Sequence, residues 1–288
     1  MSATLRNATE SWFPIESKLR SVVRLDTLGF ANLSRLHSTP DECVILVKAV
    51  PHRSSNYFET VCCAGVGHDY KWRRLYPVPF RILSDSQRFG RWHWLSYDFT
   101  PPAADGRAES QKVVPESIHV GKKLAHRERS RMACALTREG LRDATSRNES
   151  LTLIKPSSID LGWKLKSARE LDVERAKHAE LANQTSLFGE QAKPLEPCPY
   201  SFTLNWAELD GTRHNHTCDD WETSTAYFVR RNAYGDQGAL ASLKETYEEE
   251  YVRRGIRLAF STHSRRQTQW LLVGMLRVDD LEQRELDL

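Results

Sequence analysis

The sequence predicts an α+β fold, with β-rich N- and C-terminal portions that could join as one mixed sheet or small barrel around a charged helical middle. Two observations carry this. Short runs that are β-branched or alternate in polarity, closed by Pro or Gly, gather in residues 41–115 and return from 193 to 278. The stretch 116–192 between them is rich in charge and has no strong apolar stripe. Residues 1–40 read as an N-terminal extension and 279–288 as an acidic tail.

Cys43–Val50 is short, largely β-branched and closed by Pro51, so it predicts a buried strand. Phe58–Val66 predicts a second strand, stopped by Gly65 and Gly67. Trp72–Tyr76 predicts a third, with Pro77 and Pro79 ending its pairing because each lacks an N–H. Trp92–Phe99 alternates and predicts a fourth. Residues 117–147 read as helical with an interruption at Gly140, Ser150–Ile154 as a short apolar piece, and 167–184 as a charged helix. Pro194, Pro197 and Pro199 mark a linker. Tyr200–Leu209, Asp210-Gly211 and Thr212–Thr217 form a hairpin signal. Helices are expected over 221–231, where Asp219 or Asp220 would cap, and over 238–254. Leu258–Ser261 and Gln269–Val278 are the last two strands.

The chain has 288 residues, 40% hydrophobic and 27% charged, enough to bury a core. A net charge of +3 is too small to imply a nucleic-acid or membrane partner without local clustering. There is no apolar run long enough to span a bilayer and no secretory signal pattern. Six scattered cysteines argue for reduced thiols and a cytoplasmic setting.

Four features could carry chemistry. Between Lys71 and Trp94, the bases Lys71, Arg73, Arg74, Arg81, Arg88 and Arg91 face one acid, Asp85, and are interleaved with Trp72, Tyr76, Phe80, Phe89, Trp92 and Trp94. Cations along phosphates and flat rings under bases are what single-stranded or flipped nucleotides require. The second feature is the loop Ser261–Arg266, where His263, Arg265 and Arg266 stand in a stretch from 253 to 277 without Asp or Glu. Hydroxyls, a His and arginines suit an anion. Third, His214, His216 and Cys218 alternate along a strand as candidate zinc ligands, with Cys198 or His263 as a fourth. Asp220 and Glu222 follow as candidate general bases or magnesium ligands, and with His263 they form the candidate catalytic set. Fourth, Cys62-Cys63 would need a base such as His52 or His68 to act as a nucleophile. No Walker loop or dinucleotide fingerprint is present.

The segments Cys63-Ala64-Gly65 and Trp72–Arg81, followed by Ser150–Pro156, Asp220-Trp221-Glu222 and Phe260–Gly274, resemble a group of uncharacterised bacterial proteins that share Trp-x-Arg-Leu-Tyr-Pro-x-Pro-Phe-Arg. The resemblance spans most of residues 43–278 and implies no activity. The expected function is nucleic-acid binding, DNA or RNA with a single-stranded or flipped base, within a bacterial DNA/RNA-handling or antiphage defence complex. An enzyme acting on a nucleotide or nucleobase, using zinc or magnesium, is the alternative. A scaffold subunit whose Trp and Arg anchor other protein subunits is the third reading.

Overall fold

A computed structural model describes residues 38–49, 61–80, 83–103, 105–183, 195–263 and 266–280. Residues 40–288 form one compact unit. The expected N-terminal extension up to residue 37, and the acidic tail beyond Asp280, lie outside the described residues.

The N-terminal portion is a small barrel. Strands β1 (Thr39–Lys48), β2 (Val61–Val66), β3 (Trp72–Val78), β4 (His93–Thr100), β5 (Ser110–Val113) and β6 (His119–Lys123) form one sheet in the order β1-β2-β3-β5-β4-β6. A further β1–β4 pairing closes five of them, and β6 is left as an edge strand on β4. The β3–β5 pair is parallel and the β1–β2, β2–β3, β4–β5 and β4–β6 pairs are antiparallel, so the sheet is mixed.

The apolar run of β1 follows from burial on both faces. Cys43 and Ile45 point into the barrel with Cys63, Leu75, Leu95 and Tyr97. Val44 and Leu46 point outward into a second core shared with the C-terminal half. At the start of β4, Trp92 has φ 72 and donates its N–H to the Ile45 carbonyl at 2.7 Å, while its own carbonyl accepts from Leu124 N at 2.7 Å. The Arg129 guanidinium lies 5.2 Å from the buried Trp92 ring.

The middle is less helical than its charge suggests. Residues 117–147 hold β6, α1 (His126–Leu136), the two-residue β7 (Thr137–Arg138) and α2 (Leu141–Ser146). Then come β8 (Leu151–Ile154), β9 (Ser158–Leu165) and α3 (Ala168–Asn183). Strand β9 escapes sequence reading because Leu161 is its only fully buried residue. Register with β10 (Tyr200–Ala207), from Tyr200↔Leu165 to Ala207↔Ser158, holds it in place.

Strand β11 (Arg213–Thr217) completes a three-stranded sheet β11-β10-β9. The hairpin forms where Asp210-Gly211 predicts it, with Gly211 at φ 87. Strands β12 (Ile256–His263) and β13 (Arg266–Arg277) pair with β8 and β7 as a four-stranded sheet β13-β12-β8-β7. The two β-rich ends are therefore separate sheets. They meet through a shared core of Val44, Leu46, Ala64 and Val66 against Leu151, Leu153, Ala259 and Val273, with Met132 and Leu136 of α1.

The two helices expected after residue 220 are both present. They run as α4 (Trp221–Glu245), broken at Gly235 with φ 68 and ψ 179, and pass into a π-helical turn over Thr246–Tyr251. Strand β3 does not stop at Pro77: Val78 still pairs with Val61. Pairing of β3 with β5 covers Arg74–Tyr76 only, so the missing Pro77 N–H breaks no ladder bond on that side. No helix among the described residues is long and apolar enough to cross a membrane.

Candidate functional site

The basic stretch from Lys71 to Trp94 is largely spent inside the fold. Arg73 is paired with Asp41 at 2.7 Å and Asp69 at 3.2 Å. Arg74 is buried and donates to Ser261 Oγ at 2.7 Å, Ser150 Oγ at 2.9 Å and Glu109 Oε1 at 3.1 Å. Arg91 donates to both oxygens of Asp220 at 3.1 Å and to the Met275 carbonyl at 2.7 Å. Sequence counting finds one acid in this stretch because the partner carboxylates arrive from as far as 129 residues away. Trp92 is core, and Trp72 packs half-buried on the shared core. Lys71 and Tyr76 are exposed, and Arg88 makes a surface pair with Asp85. Arg81 lies outside the described residues.

The Ser261–Arg266 segment does meet β3, but as a buried seam. Ser261 and Thr262 are buried. Arg74 holds the Ser261 hydroxyl, and Arg107, itself clamped by Asp105, donates to the Thr262 carbonyl at 3.0 Å. Ser150 also bonds Glu109, which completes a network linking barrel and C-terminal sheet. This corrects the expectation of an open phosphate loop at these two positions: their polar atoms serve the seam. His263 ends β12 half-buried, Arg266 is exposed, and Arg265 lies outside the described residues.

His214, His216 and Cys218 lie along one face of the hairpin, yet they do not gather as ligands. His214 Nε2 bonds Glu208 Oε1 at 2.9 Å and its ring stacks on Trp206 at 4.4 Å. His216 Nδ1 accepts from Trp206 Nε1 at 3.1 Å, and its ring centroid is 6.0 Å from that of His214. Burial, then the neighbouring His214 charge, lowers the His216 pKa. Cys218 is buried, and burial followed by the Asp220 charge pushes its thiol up to about 12. Among the described residues no three His, Cys, Asp or Glu side chains are grouped to hold a metal ion. Cys63 points into the barrel core, where burial raises its thiol well above the usual range, so it offers no thiolate.

Asp220 and Glu222 divide into two roles. Asp220 is fully buried and caps α4 through the Glu222 N–H at 3.1 Å. It also accepts from Arg91 and from the Met275 N–H at 3.1 Å. Burial, with the Glu222 charge, raises its carboxyl, and Arg91 with the Met275 amide opposes this without cancelling it. Burial disfavours the Arg91 cation, but the Asp220 and Glu222 charges outweigh it and raise the Arg91 pKa. With three N–H donors aimed at it, the carboxylate is the form the site fits. Asp220 is thus a structural anchor, and it sets the start of α4 against β1 through a bridge to Ala49.

Glu222, two residues further on, reaches a partly open cavity of about 150 Å³ lined by Lys48, Phe80, Trp221, Glu222 and Thr225. Lys48 Nζ is 2.7 Å from Glu222 Oε1 and 4.7 Å from the Phe80 ring centroid. Phe80 and Trp221 meet edge-to-face at 5.2 Å. Burial opposes ionisation of Glu222, but Arg91, Lys48 and Lys123 together hold its carboxyl below the usual range. Lys48 is invisible to sequence reading because it ends an apolar strand. The Asp220-Trp221-Glu222 signal was the part that could be found.

The cations left open to solvent lie elsewhere. Lys122 and Lys123 on edge strand β6, and Arg127 and Arg131 on α1, are exposed and have no ion-pair partner among the described residues. Beside them Trp94 packs against Gly121, and the exposed His68 ring stacks on Trp94 at 4.0 Å and 15°. A side chain at Gly121 would press on Trp94, since its Cβ would lie 3.3 Å from that of Trp94.

Residues 39–139 match a family model described as Domain of unknown function (DUF8758), and residues 129–287 match one described as Domain of unknown function (DUF8757). The first match covers the barrel and α1, the second α1 onward, and they overlap across α1 and β7. No curated protein matches the chain. Because the second model covers more than half of the 288 residues, the chain belongs to the DUF8757 family.

Proposed function

We propose that this protein binds single-stranded nucleic acid along the outer face of β6 and α1, as one component of a bacterial DNA- or RNA-handling assembly. The observation that carries this reading is the set Lys122, Lys123, Arg127 and Arg131, exposed and in no ion pair among the described residues. Phosphates attract cations that still have their charge to give, which excludes Arg73, Arg74 and Arg91, each already neutralised within the fold. The stacked His68–Trp94 pair, with Trp94 on the neighbouring β4 against Gly121, gives an aromatic surface on which a base could lie. The lysines of β6 also discourage edge-to-edge pairing of the barrel with another sheet.

Fluorescence anisotropy with labelled single-stranded DNA and RNA tests the reading. Binding should weaken steeply with salt and should drop when Lys122 and Lys123 are both replaced by alanine. Equal binding by that double variant and the natural chain would remove β6 from the interface.

A further inference from the structure

The strand order of the barrel implies a ligand face that the β6 surface does not use. Strands β1, β2 and β3 form a meander, β5 lies parallel to β3, and β4 pairs with β5 and returns to close on β1. This is the order of the five-stranded oligonucleotide- and oligosaccharide-binding barrel. Its ligands lie across the outer face of the second and third strands and meet the β4–β5 connection. A fold assigns no activity by itself, so the side chains on that face decide.

The face is divided. Ala64 and Val66 of β2, with Trp72 at the start of β3, lie in the core shared with the C-terminal sheet, and Arg74 is bound to Ser261, Ser150 and Glu109. That half is closed to a ligand. Two residues on, Tyr76 shares the outward side of Arg74 and is 37% exposed. The β2–β3 register slips here, so Tyr76 and Pro77 stand opposite the half-buried Cys62. Such a bulge turns a side chain out of the regular sheet surface. On its other side Tyr76 pairs with the exposed Lys112 of β5.

The β4–β5 connection brings a third wall. Its Arg107 feels the charge of Cys62 and donates to the Thr262 carbonyl at 3.0 Å, which holds the end of β12 at this rim. The next residue, His263, pairs with the exposed Arg266, and Arg266 is in no ion pair among the described residues. An exposed ring gives a base a stacking surface, and cations beside it attract phosphates. An uncharged oligosaccharide would have no use for Lys112 or Arg266, so the cationic rim favours nucleic acid.

We propose that the uncovered end of the β2–β3 face is a second contact for single-stranded nucleic acid, with one base stacked on Tyr76 and phosphates held by Lys112 and Arg266. The ligand class rests on the nucleic-acid reading above. The site shares no residue with the β6 surface, so each can fail alone.

The experiment is photocrosslinking of the full chain to a single-stranded oligonucleotide carrying 5-iodouracil, with the linked peptide identified by mass spectrometry, alongside anisotropy titrations. A crosslink should form at Tyr76. Tyr76→Ala should weaken binding about tenfold, while Tyr76→Phe, which keeps the ring, should bind like the natural chain. Lys112→Ala and Arg266→Ala should each lower the slope of log K against log salt by about 0.7. Crosslinks confined to β6 and α1, or undiminished binding by Tyr76→Ala, overturn this site and leave the β6 surface standing. A Tyr76 crosslink with binding indifferent to replacement of Lys122 and Lys123 keeps this site and removes β6. Binding of neutral cellohexaose with no oligonucleotide binding overturns both.

Discussion

Replacing Asp220 by alanine removes a carboxylate with no solvent exposure and leaves the Arg91 guanidinium, itself largely buried, without its counter-charge. Two other losses come with it: the cap on α4 at Glu222 N and the bond to Met275 N. Breaking a buried pair from one side costs about 3–5 kcal/mol, because the remaining charge stays desolvated. Loss of the cap is part of that figure and accounts for about 1 kcal/mol. For a unit of this size about 1 kcal/mol moves Tm by roughly 2–4 °C, so the expected drop is roughly 6–20 °C. Urea unfolding followed by far-UV circular dichroism gives the free energy directly. A cycle through Arg91→Met, Asp220→Asn and the double variant isolates the pair. Removing both charges should cost less than the sum of the single changes, by at least about 2 kcal/mol. Single costs under about 1 kcal/mol that add without coupling would refute the anchor role and return Asp220 to the list of candidate catalytic acids.

Gly235 breaks α4 at φ 68 and ψ 179, a region essentially restricted to glycine, and a Cβ there would meet nothing within 4 Å. Gly235→Ala should therefore destabilise by about 1–3 kcal/mol through backbone strain alone, as read by chemical denaturation. At Asp105, burial is outweighed by bonds from Arg107 and Ser110, which hold the carboxyl at about 2. A depressed folded pKa stabilises above the unfolded value near 4 and loses that contribution as pH falls towards about 2. Asp105→Asn should thus lower stability at neutral pH and flatten the acid limb of a stability–pH curve between about 4 and 2. A curve with unchanged slope would show that the Arg107 clamp contributes nothing there.

What could be read in the sequence depended on whether the signal was local. The run Cys43–Val47 announces a strand buried on both faces, and Asp210-Gly211 announces its hairpin, because neighbouring residues set both. Strand β9 is set by its partner β10, and nothing in Ser158–Leu165 itself says so. The same limit governs the site. A count of arginines near Trp72 is correct, but which of them remain free depends on Asp41, Glu109 and Asp220, whose positions only the fold supplies. The two β-rich portions touch at two places, the Arg74–Ser261 seam and the Ala49–Asp220 bridge. The acid group contributes to the second meeting place alone, through Glu222 beside Lys48.

The central claim is that the open cations of β6 and α1, and not the paired arginines of β3, hold phosphate. Its most direct test is the slope of log K against log salt for a single-stranded oligonucleotide. Each lost phosphate contact should lower the slope by about 0.7. Replacing Lys122, Lys123, Arg127 and Arg131 together by alanine should then flatten it by about 3, while Arg73→Ala leaves it unchanged. A slope that stays steep in the fourfold variant, or one that falls with Arg73→Ala, would contradict the account.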